Sequence, residues 1–335
     1  MRPFAMPARA IVCASLVLSL LLTGSVAGAA ELENDTLDVA MARAADPAEL
    51  ELTWQQAWLH LPAGEAPDSR PPIVGPLGSA YVQDRLKLLP RQVTWPTVVF
   101  LHGCTGIQAP ERRVAGMLTR MGYAVILPNS QARPNRPSDC NVATSEWGLA
   151  PIVHYFRRSE LKDAMNRVRS LSWVDRGNVF LGGFGEGAKA VALWGGQEDV
   201  AAYLITGWTC TAPPSLEWLH GLHLPEDRPV LAIVTSDDPF YRRIEPKGSC
   251  GGPVAGNRDV TSLVIDGSVH NVFVYPETWL ILVEFMLANT RSELVPSEAF
   301  RAQGLRISVD LDDGQPPIFG SPPLRWEDRL EVPTR

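Results

Sequence analysis

The chain has 335 residues, of which 45% are hydrophobic, and its 37 acidic and 30 basic side chains give a formal net charge of −7. This length is enough for one large α/β domain or two small ones. An acidic chain without a basic stripe argues against nucleic-acid binding. We therefore expect no nucleic-acid partner.

The first 30 residues have the pattern of a secretory signal peptide. Arg2 and Arg9 flank the start of the chain, the apolar run IVCASLVLSLLL follows, and small residues occupy positions 27–29. The run is shorter than a membrane-spanning helix requires. We expect the segment to be cleaved, which leaves a periplasmic or secreted protein without a membrane anchor. A retained anchor is the alternative.

Residues 31–94 form an N-terminal extension with weak periodicity. ELELTWQQAWLHLP, residues 49–62, alternates between polar and apolar residues and predicts an early edge strand. DSRPPIVGPLGS, residues 68–79, predicts a loop because it is rich in proline and glycine.

From Trp95 onward, continuous apolar runs alternate with helical patterns. The runs predict strands at 97–103, 123–128, 178–183, 201–208, 229–236 and 261–267, of which the first two are expected to be buried. Helices are predicted at 110–121, 160–174, 186–195 and 276–290. This alternation predicts an α/β fold with a mostly parallel central sheet and helices on both faces. Residues 293–335 predict a proline-rich tail and no second domain.

Four cysteines remain after the signal peptide: Cys104, Cys140, Cys210 and Cys250. An even count in an exported protein predicts two disulfides. We favour Cys104–Cys140 and Cys210–Cys250, because each pair would join neighbouring loops at the carboxyl ends of the strands. Buried free thiols are the alternative. Zinc ligation is disfavoured because no pair has CxxC spacing.

Five segments in order resemble the dienelactone hydrolase family of the α/β-hydrolase superfamily, and its exported, disulfide-bearing bacterial members in particular. They are VVFLHGCTG, GYAVILPNSQARPNRPSDC, VFLGGFGEGAKAVAL, LAIVTSDDP and IDGSVHNVFVYPE. The resemblance covers residues 95–292 and implies an α/β-hydrolase domain there.

The resemblance also implies a set of site residues, with one departure from the family. In GFGEG the family's serine or cysteine nucleophile is replaced by Gly185. His270 would be the general base, and Asp237, favoured over Asp238, would be the acid that orients it. Backbone N–H groups of Cys104 and Glu186 would form the oxyanion hole.

The remaining polar residues leave alternatives open. Thr105 or Ser130 would be a relocated nucleophile, and water activated by His270 would be a third route. Arg133 and Arg136 could pair with a ligand carboxylate. His220 and His223 lack a third ligand, so we expect no metal and no cofactor.

Two hypotheses on function follow from these residues. The first is a nearly inactive hydrolase homologue that binds a small ester, lactone or carboxylate. The second is an active ester or lactone hydrolase that works by an unusual route. The sequence leaves the oligomeric state open.

Overall fold

The computed structural model describes residues 38–64, 70–137, 140–147, 151–196, 199–212, 214–242, 249–256 and 258–291. The predicted signal peptide and the predicted proline-rich tail lie outside the described residues.

An eight-stranded sheet forms the centre of the fold, in the order β10-β9-β8-β7-β3-β4-β1-β2. Its strands are β1 Trp58–Leu61, β2 Ile73–Pro76, β3 Trp95–Leu101, β4 Ala124–Leu127, β7 Val174–Phe184, β8 Tyr203–Thr206, β9 Val230–Thr235 and β10 Val260–Ile265. Two short strands, β5 Cys140–Asn141 and β6 Glu146–Trp147, pair separately. All pairs from β10 through β4 in the large sheet are parallel, whereas β1 runs antiparallel to both β4 and β2.

Helices cover both faces of this sheet. They are α1 Pro47–Gln55, α2 Ala80–Leu86, α3 Ala109–Arg120, α4 Pro151–Ser170, α5 Glu186–Ala192 and α6 Pro276–Ala288, preceded by helical residues at 38–44. Among the described residues, no helix has both the length and the hydropathy needed to cross a membrane.

The alternation of side chains along the buried strands explains the two layers of core. In β3, Val99 and Leu101 pack in the cluster that includes α4 and α5, whereas Val98 and Phe100 pack with α3 and α6. Successive strand residues point to opposite faces, so a fully apolar strand fits only between two apolar layers. The predicted α/β-hydrolase fold, with a mostly parallel sheet and helices on both faces, is confirmed.

The sequence interpretation of the N-terminal extension was wrong in two places. The first half of the alternating segment at 49–62 is helix α1, and only its end forms the strand β1. Asp46 caps this helix by accepting the Ala48 N–H at 2.8 Å, and Pro47 occupies its first turn. The predicted loop at 68–79 contains strand β2, which pairs along β1. These two strands extend the sheet at the β4 edge.

Both predicted disulfides are present. Cys104 is bonded to Cys140, and Cys210 is bonded to Cys250. The first pair joins the loop after β3 to the short strand β5, and the second joins the loop after β8 to the segment that precedes β10.

Candidate active site

The loops that follow four parallel strands meet at one edge of the sheet. Gly103 follows β3, Gly185 follows β7, Asp238 follows β9 and His270 follows β10. The carboxyl ends of parallel strands are where open α/β sheets place their ligand sites. The topology therefore brings the predicted site residues to one place.

Gly185 occupies the sharp corner between β7 and α5. Its backbone has φ 54° and ψ −113°, and it stands at the N-cap of α5. A positive φ of this kind favours glycine. A Cβ atom built on Gly185 would lie 3.2 Å from His270 Nε2 and 4.0 Å from the Cα of Gly103. A side chain at this corner would thus point between the imidazole and the loop after β3.

The start of α5 is also packed closely against the end of β3. A Cβ at Gly187, in the first turn of α5, would lie 2.2 Å from the carbonyl oxygen of Leu101. Only glycine permits the helix to approach β3 at this distance. The glycine two residues after Gly185 therefore serves packing.

The acid that contacts His270 is Asp238, and the prediction favouring Asp237 was wrong. His270 Nδ1 lies 2.7 Å from Asp238 Oδ2, and the Asp238 side chain is 1% exposed. Asp238 Oδ1 also accepts the N–H of Phe240 at 2.9 Å. Asp237 instead points outward, 54% exposed, where it pairs with Arg242. The loop after β9 turns inward one residue later than the sequence suggested.

The hydrogen bond to Asp238 determines which ring nitrogen of His270 carries the hydrogen. An ionised carboxylate can only accept, so Nδ1 carries the hydrogen and Nε2 of the neutral ring presents a lone pair. The ring is held between Phe184 and Phe240, whose ring centroids lie 4.9 and 4.5 Å from its own. Nε2 is therefore an oriented proton acceptor that faces Gly185.

The loop after β3 is held by buried polar groups. Glu111 accepts the N–H groups of Gly103 at 3.1 Å and Gln108 at 3.0 Å. Burial raises the pKa of the Glu111 carboxyl above its ordinary value, and these backbone donors oppose the rise. The loop geometry thus depends on a carboxyl group that no catalytic pattern in the sequence indicated.

His102 serves as a structural link in the same loop. Nδ1 lies 2.6 Å from the carbonyl oxygen of Gly103, so it donates, and Nε2 accepts the N–H of Ser130 at 2.9 Å. Complete burial and the neighbouring Arg157 hold the pKa of His102 well below its usual value. The neutral ring therefore joins the loop after β3 to the loop after β4.

The two predicted oxyanion donors flank the corner. Glu186 is the first residue of α5, so its N–H has no acceptor within the helix. Cys104 follows Gly103 and lines a cavity of about 540 Å³ together with Thr105, Gln131, Arg136, Cys140 and Val142. This cavity lies beside the candidate site and is bounded on one side by the Cys104–Cys140 disulfide.

The structure separates the two arginines that were predicted to bind a ligand. The side chain of Arg133 is fully buried and pairs with Glu49 at 3.0 Å and Glu160 at 2.7 Å. It also donates to the backbone of the helical residues at 38–44, so it holds the N-terminal segment and is not available to a ligand. Arg136 does line the cavity, although its guanidinium pairs with Glu186.

Arg133 and Arg136 belong to a larger buried ionic network. Arg157 is 1% exposed and contacts Glu160 at 3.2 Å, Glu186 at 3.3 Å and the carbonyl oxygen of His102 at 2.8 Å. The sequence analysis missed Glu111, Arg157 and Glu160, and it gave Glu186 only a backbone role. The spacing of Arg157 and Glu160 permits an ion pair on a helix, but nothing in the sequence indicates that the pair is buried.

Among the described residues, neither candidate for a relocated nucleophile forms a hydrogen bond with His270. Ser130 is fully buried, donates to Glu160 at 2.9 Å and accepts from Arg136. Thr105 is exposed at the mouth of the cavity. His223 contacts the carbonyl oxygen of His220 at 3.1 Å, and the described residues contain no metal-binding group of three or more His, Cys, Asp or Glu side chains.

Comparison with known proteins relates the middle of the chain to one family. Residues 84–241 match the sequence model of the dienelactone hydrolase family. No curated protein matches the chain.

Among solved structures, the chain is similar to a protein described as a putative dienelactone hydrolase from Klebsiella pneumoniae. The two sequences are 16% identical, the match covers 59% of this chain and 87% of that chain, and the TM-score is 0.42. It is also similar to Est1E from Butyrivibrio proteoclasticus, in a structure with bound ferulic acid, with 14% identity, 70% and 94% covered, and a TM-score of 0.44. The chain has the α/β-hydrolase fold, and its residues 84–241 match the model of the dienelactone hydrolase family.

Proposed function

We propose that this protein is an exported hydrolase homologue that binds a small ester, lactone or carboxylate and has almost no hydrolytic activity. The observation that carries the proposal is Gly185, which stands where a side chain would point at His270 Nε2 from 3.2 Å. Covalent ester hydrolysis needs an oxygen or sulfur nucleophile within reach of its base. Glycine supplies neither.

The ligand-binding part of the proposal rests on groups that do not depend on the nucleophile. The dyad of His270 and Asp238 is in hydrogen-bonding contact, and the cavity of about 540 Å³ beside Cys104 carries Arg136 in its wall. Its volume is in the range of small-molecule sites. Export is supported by the signal-like N-terminus and by two disulfides, which persist in oxidising compartments.

The second candidate function is slow hydrolysis by activated water. It is favoured by the oriented lone pair of His270 Nε2, which faces a corner without a side chain. A water molecule there could lose its proton to Nε2 and attack a carbonyl directly, without a covalent intermediate.

A paired turnover assay separates the two candidates. The mature, oxidised protein and its Gly185→Ser variant would be tested with p-nitrophenyl acetate and with a simple enol lactone. A silent wild type and an active serine variant would support the proposal. Turnover by the wild type that His270→Ala abolishes would overturn it in favour of the water route.

A matched control distinguishes the effect of a new nucleophile from the effect of a strained backbone. Gly252 has φ 56°, and a Cβ at this position would meet nothing within 4 Å. Gly252→Ser therefore also places a side chain at a positive φ, but away from His270. It should fold like Gly185→Ser and gain no activity.

A further inference from the structure

A second cavity has Asp237 and Asp238 in its wall. Its volume is about 350 Å³, at the small end of the range for ligand sites. Five serine and threonine residues also line it: Thr209, Thr211, Thr235, Ser236 and Ser249. Nothing in the proposed hydrolase site uses these hydroxyl groups.

The hydroxyl groups are held in place by bonds within the protein. Thr209 Oγ1 and Thr211 Oγ1 lie 3.0 Å apart, Thr235 donates to the carbonyl oxygen of Val269 at 3.3 Å, and Ser236 donates to Asp266 at 3.1 Å. A hydroxyl oxygen that donates its proton still has lone pairs to offer. The bond between the two threonines uses one of their two protons, so the other can be donated. The wall thus offers acceptors and a donor at fixed positions.

The charges at the rim are balanced. Asp237 and Arg242 pair at 2.9 Å, and both side chains are about half exposed. Asp238 is committed to His270 and to the N–H of Phe240. The described wall therefore has no uncompensated cation for an anionic ligand. The Asp237–Arg242 pair does provide carboxylate oxygens and a planar set of N–H donors.

The walls of the cavity are rigidly connected. The Cys210–Cys250 disulfide joins the loop after β8, which carries Thr209 and Thr211, to the segment that carries Ser249. Cys210 itself has φ 56°, which is rare for a residue other than glycine. Tyr241, another wall residue, donates its hydroxyl proton to the carbonyl oxygen of Gly207 at 2.8 Å. A fixed site loses little entropy on binding.

From this lining we infer that the second cavity binds a neutral, hydroxyl-rich ligand of about the size of one sugar ring. Ligand hydroxyl groups both donate and accept hydrogen bonds, so they can pair with the threonine and serine hydroxyl groups of the wall. The carboxylate and guanidinium of the Asp237–Arg242 pair can form hydrogen bonds with adjacent hydroxyl groups of the ligand. A ligand with its own hydroxyl groups can use the lone pairs and the one threonine proton that the internal bonds of the wall leave. The inference is independent of Gly185 and of any hydrolysis.

Amide NMR titration of the wild-type mature protein tests the inference. The probes are the methyl pyranosides of glucose, galactose, mannose and xylose, with sodium acetate as an anionic comparison. We expect at least one glycoside to cause saturable shifts centred on Thr209, Thr211 and Ser249, with a Kd of about 1–10 mM. Acetate should leave these signals unchanged. No saturable shift at these residues with any of the four glycosides would overturn the inference.

Two variants and a control make the assignment specific. Thr211→Val removes a buried hydroxyl group and should raise the Kd about tenfold, because the loss of one hydrogen bond to the ligand weakens the affinity by about this factor. Arg242→Gln, at the exposed rim, should also weaken binding without a risk to folding. Thr119→Val removes a buried hydroxyl group that bonds Ala115 in α3, away from the cavity, and should bind normally. Glycoside shifts that persist unchanged in both cavity variants would contradict the inference.

Discussion

Gly185→Ser is the most informative single change in this molecule, because it introduces one oxygen at a corner that faces the dyad of His270 and Asp238. A serine Cβ would lie 3.2 Å from His270 Nε2. This contact is slightly short, so the imidazole must move by a few tenths of an ångström. The hydroxyl proton could then be donated to Nε2, whose lone pair is oriented by the bond from Nδ1 to Asp238.

The expected gain in rate can be bounded from two known effects. In subtilisin, loss of the catalytic serine costs about 10⁶-fold in kcat. A misplacement on the scale of about 1 Å costs about 10²-fold. We therefore expect Gly185→Ser to raise ester turnover by about 10⁴-fold over the wild type, which corresponds to about 5 kcal/mol of activation free energy.

The same substitution should cost stability. Glycine accepts φ 54° freely, whereas serine there is strained, and such strain costs about 1–3 kcal/mol. Urea unfolding of the Gly185→Ser variant and of the wild type measures this cost.

Turnover of p-nitrophenyl acetate, followed by the absorbance of the released p-nitrophenolate, checks the kinetic part of the prediction. A rapid first phase equal to one acetyl group per protein would show that the introduced serine is acylated, and His270→Ala in the same variant should remove it. A folded Gly185→Ser protein with no more activity than the Gly252→Ser control would refute the reasoning. The dyad and corner would then not form a hydrolase site.

Three further predictions test the acid, the buried network and the buried histidines. In the Gly185→Ser background, Asp238→Asn should lower kcat by about 10⁴-fold because the imidazole loses its correct tautomer. Asp237→Asn should change kcat by less than about threefold, as expected for an exposed ion pair. Equal effects of the two substitutions on ester turnover would contradict the assignment of Asp238. Glu186→Gln leaves two buried guanidinium groups without their shared anion, so urea unfolding should report a loss of about 3–5 kcal/mol, and a loss below about 1 kcal/mol would mean that the network is well solvated. Burial lowers the pKa of His60 and of His154 from 6.5 to about 4. Between these pH values the unfolded chain binds protons that the folded protein does not, so the free energy of unfolding is highest above about pH 6.5 and falls as the pH falls toward about 4. The loss is at most about 3 kcal/mol for each histidine. Replacing His60 with Phe should flatten the dependence of the unfolding free energy on pH in this window.

The sequence predicted the parallel sheet well because most of its strands are buried on both faces and appear as continuous apolar runs, whereas the edge strand β10 is only partly buried. The prediction for the N-terminal extension was wrong because a charged residue is buried there. Glu49 is buried in α1 and is paired with Arg43 and Arg133, so its polar character made the segment look like an alternating strand. A hydrophobic pattern cannot register a charge that is buried with its partner.

The site residues show the same limit at finer scale. The order of motifs was enough to bring His270, Gly185 and the aspartate pair to one edge. Whether Asp237 or Asp238 turns inward depends on one backbone rotation after β9, where the Asp237 N–H bonds the carbonyl oxygen of Gly267 at 2.9 Å. Likewise, the choice between Arg133 and Arg136 depends on which side chain meets Glu160. Contacts between distant segments decide both cases.

The buried network explains why the corner can keep its geometry without a nucleophile. Arg157, from α4, contacts the carbonyl oxygen of His102 in the loop after β3 and the carboxylate of Glu186 at the start of α5. Glu186 in turn holds Arg136 of the loop after β4. These contacts fix the three loops around the corner, and none of them involves a side chain at position 185. The loops, the dyad and the cavity beside Cys104 can therefore stay in place whatever residue occupies position 185, as the proposed ligand-binding function requires.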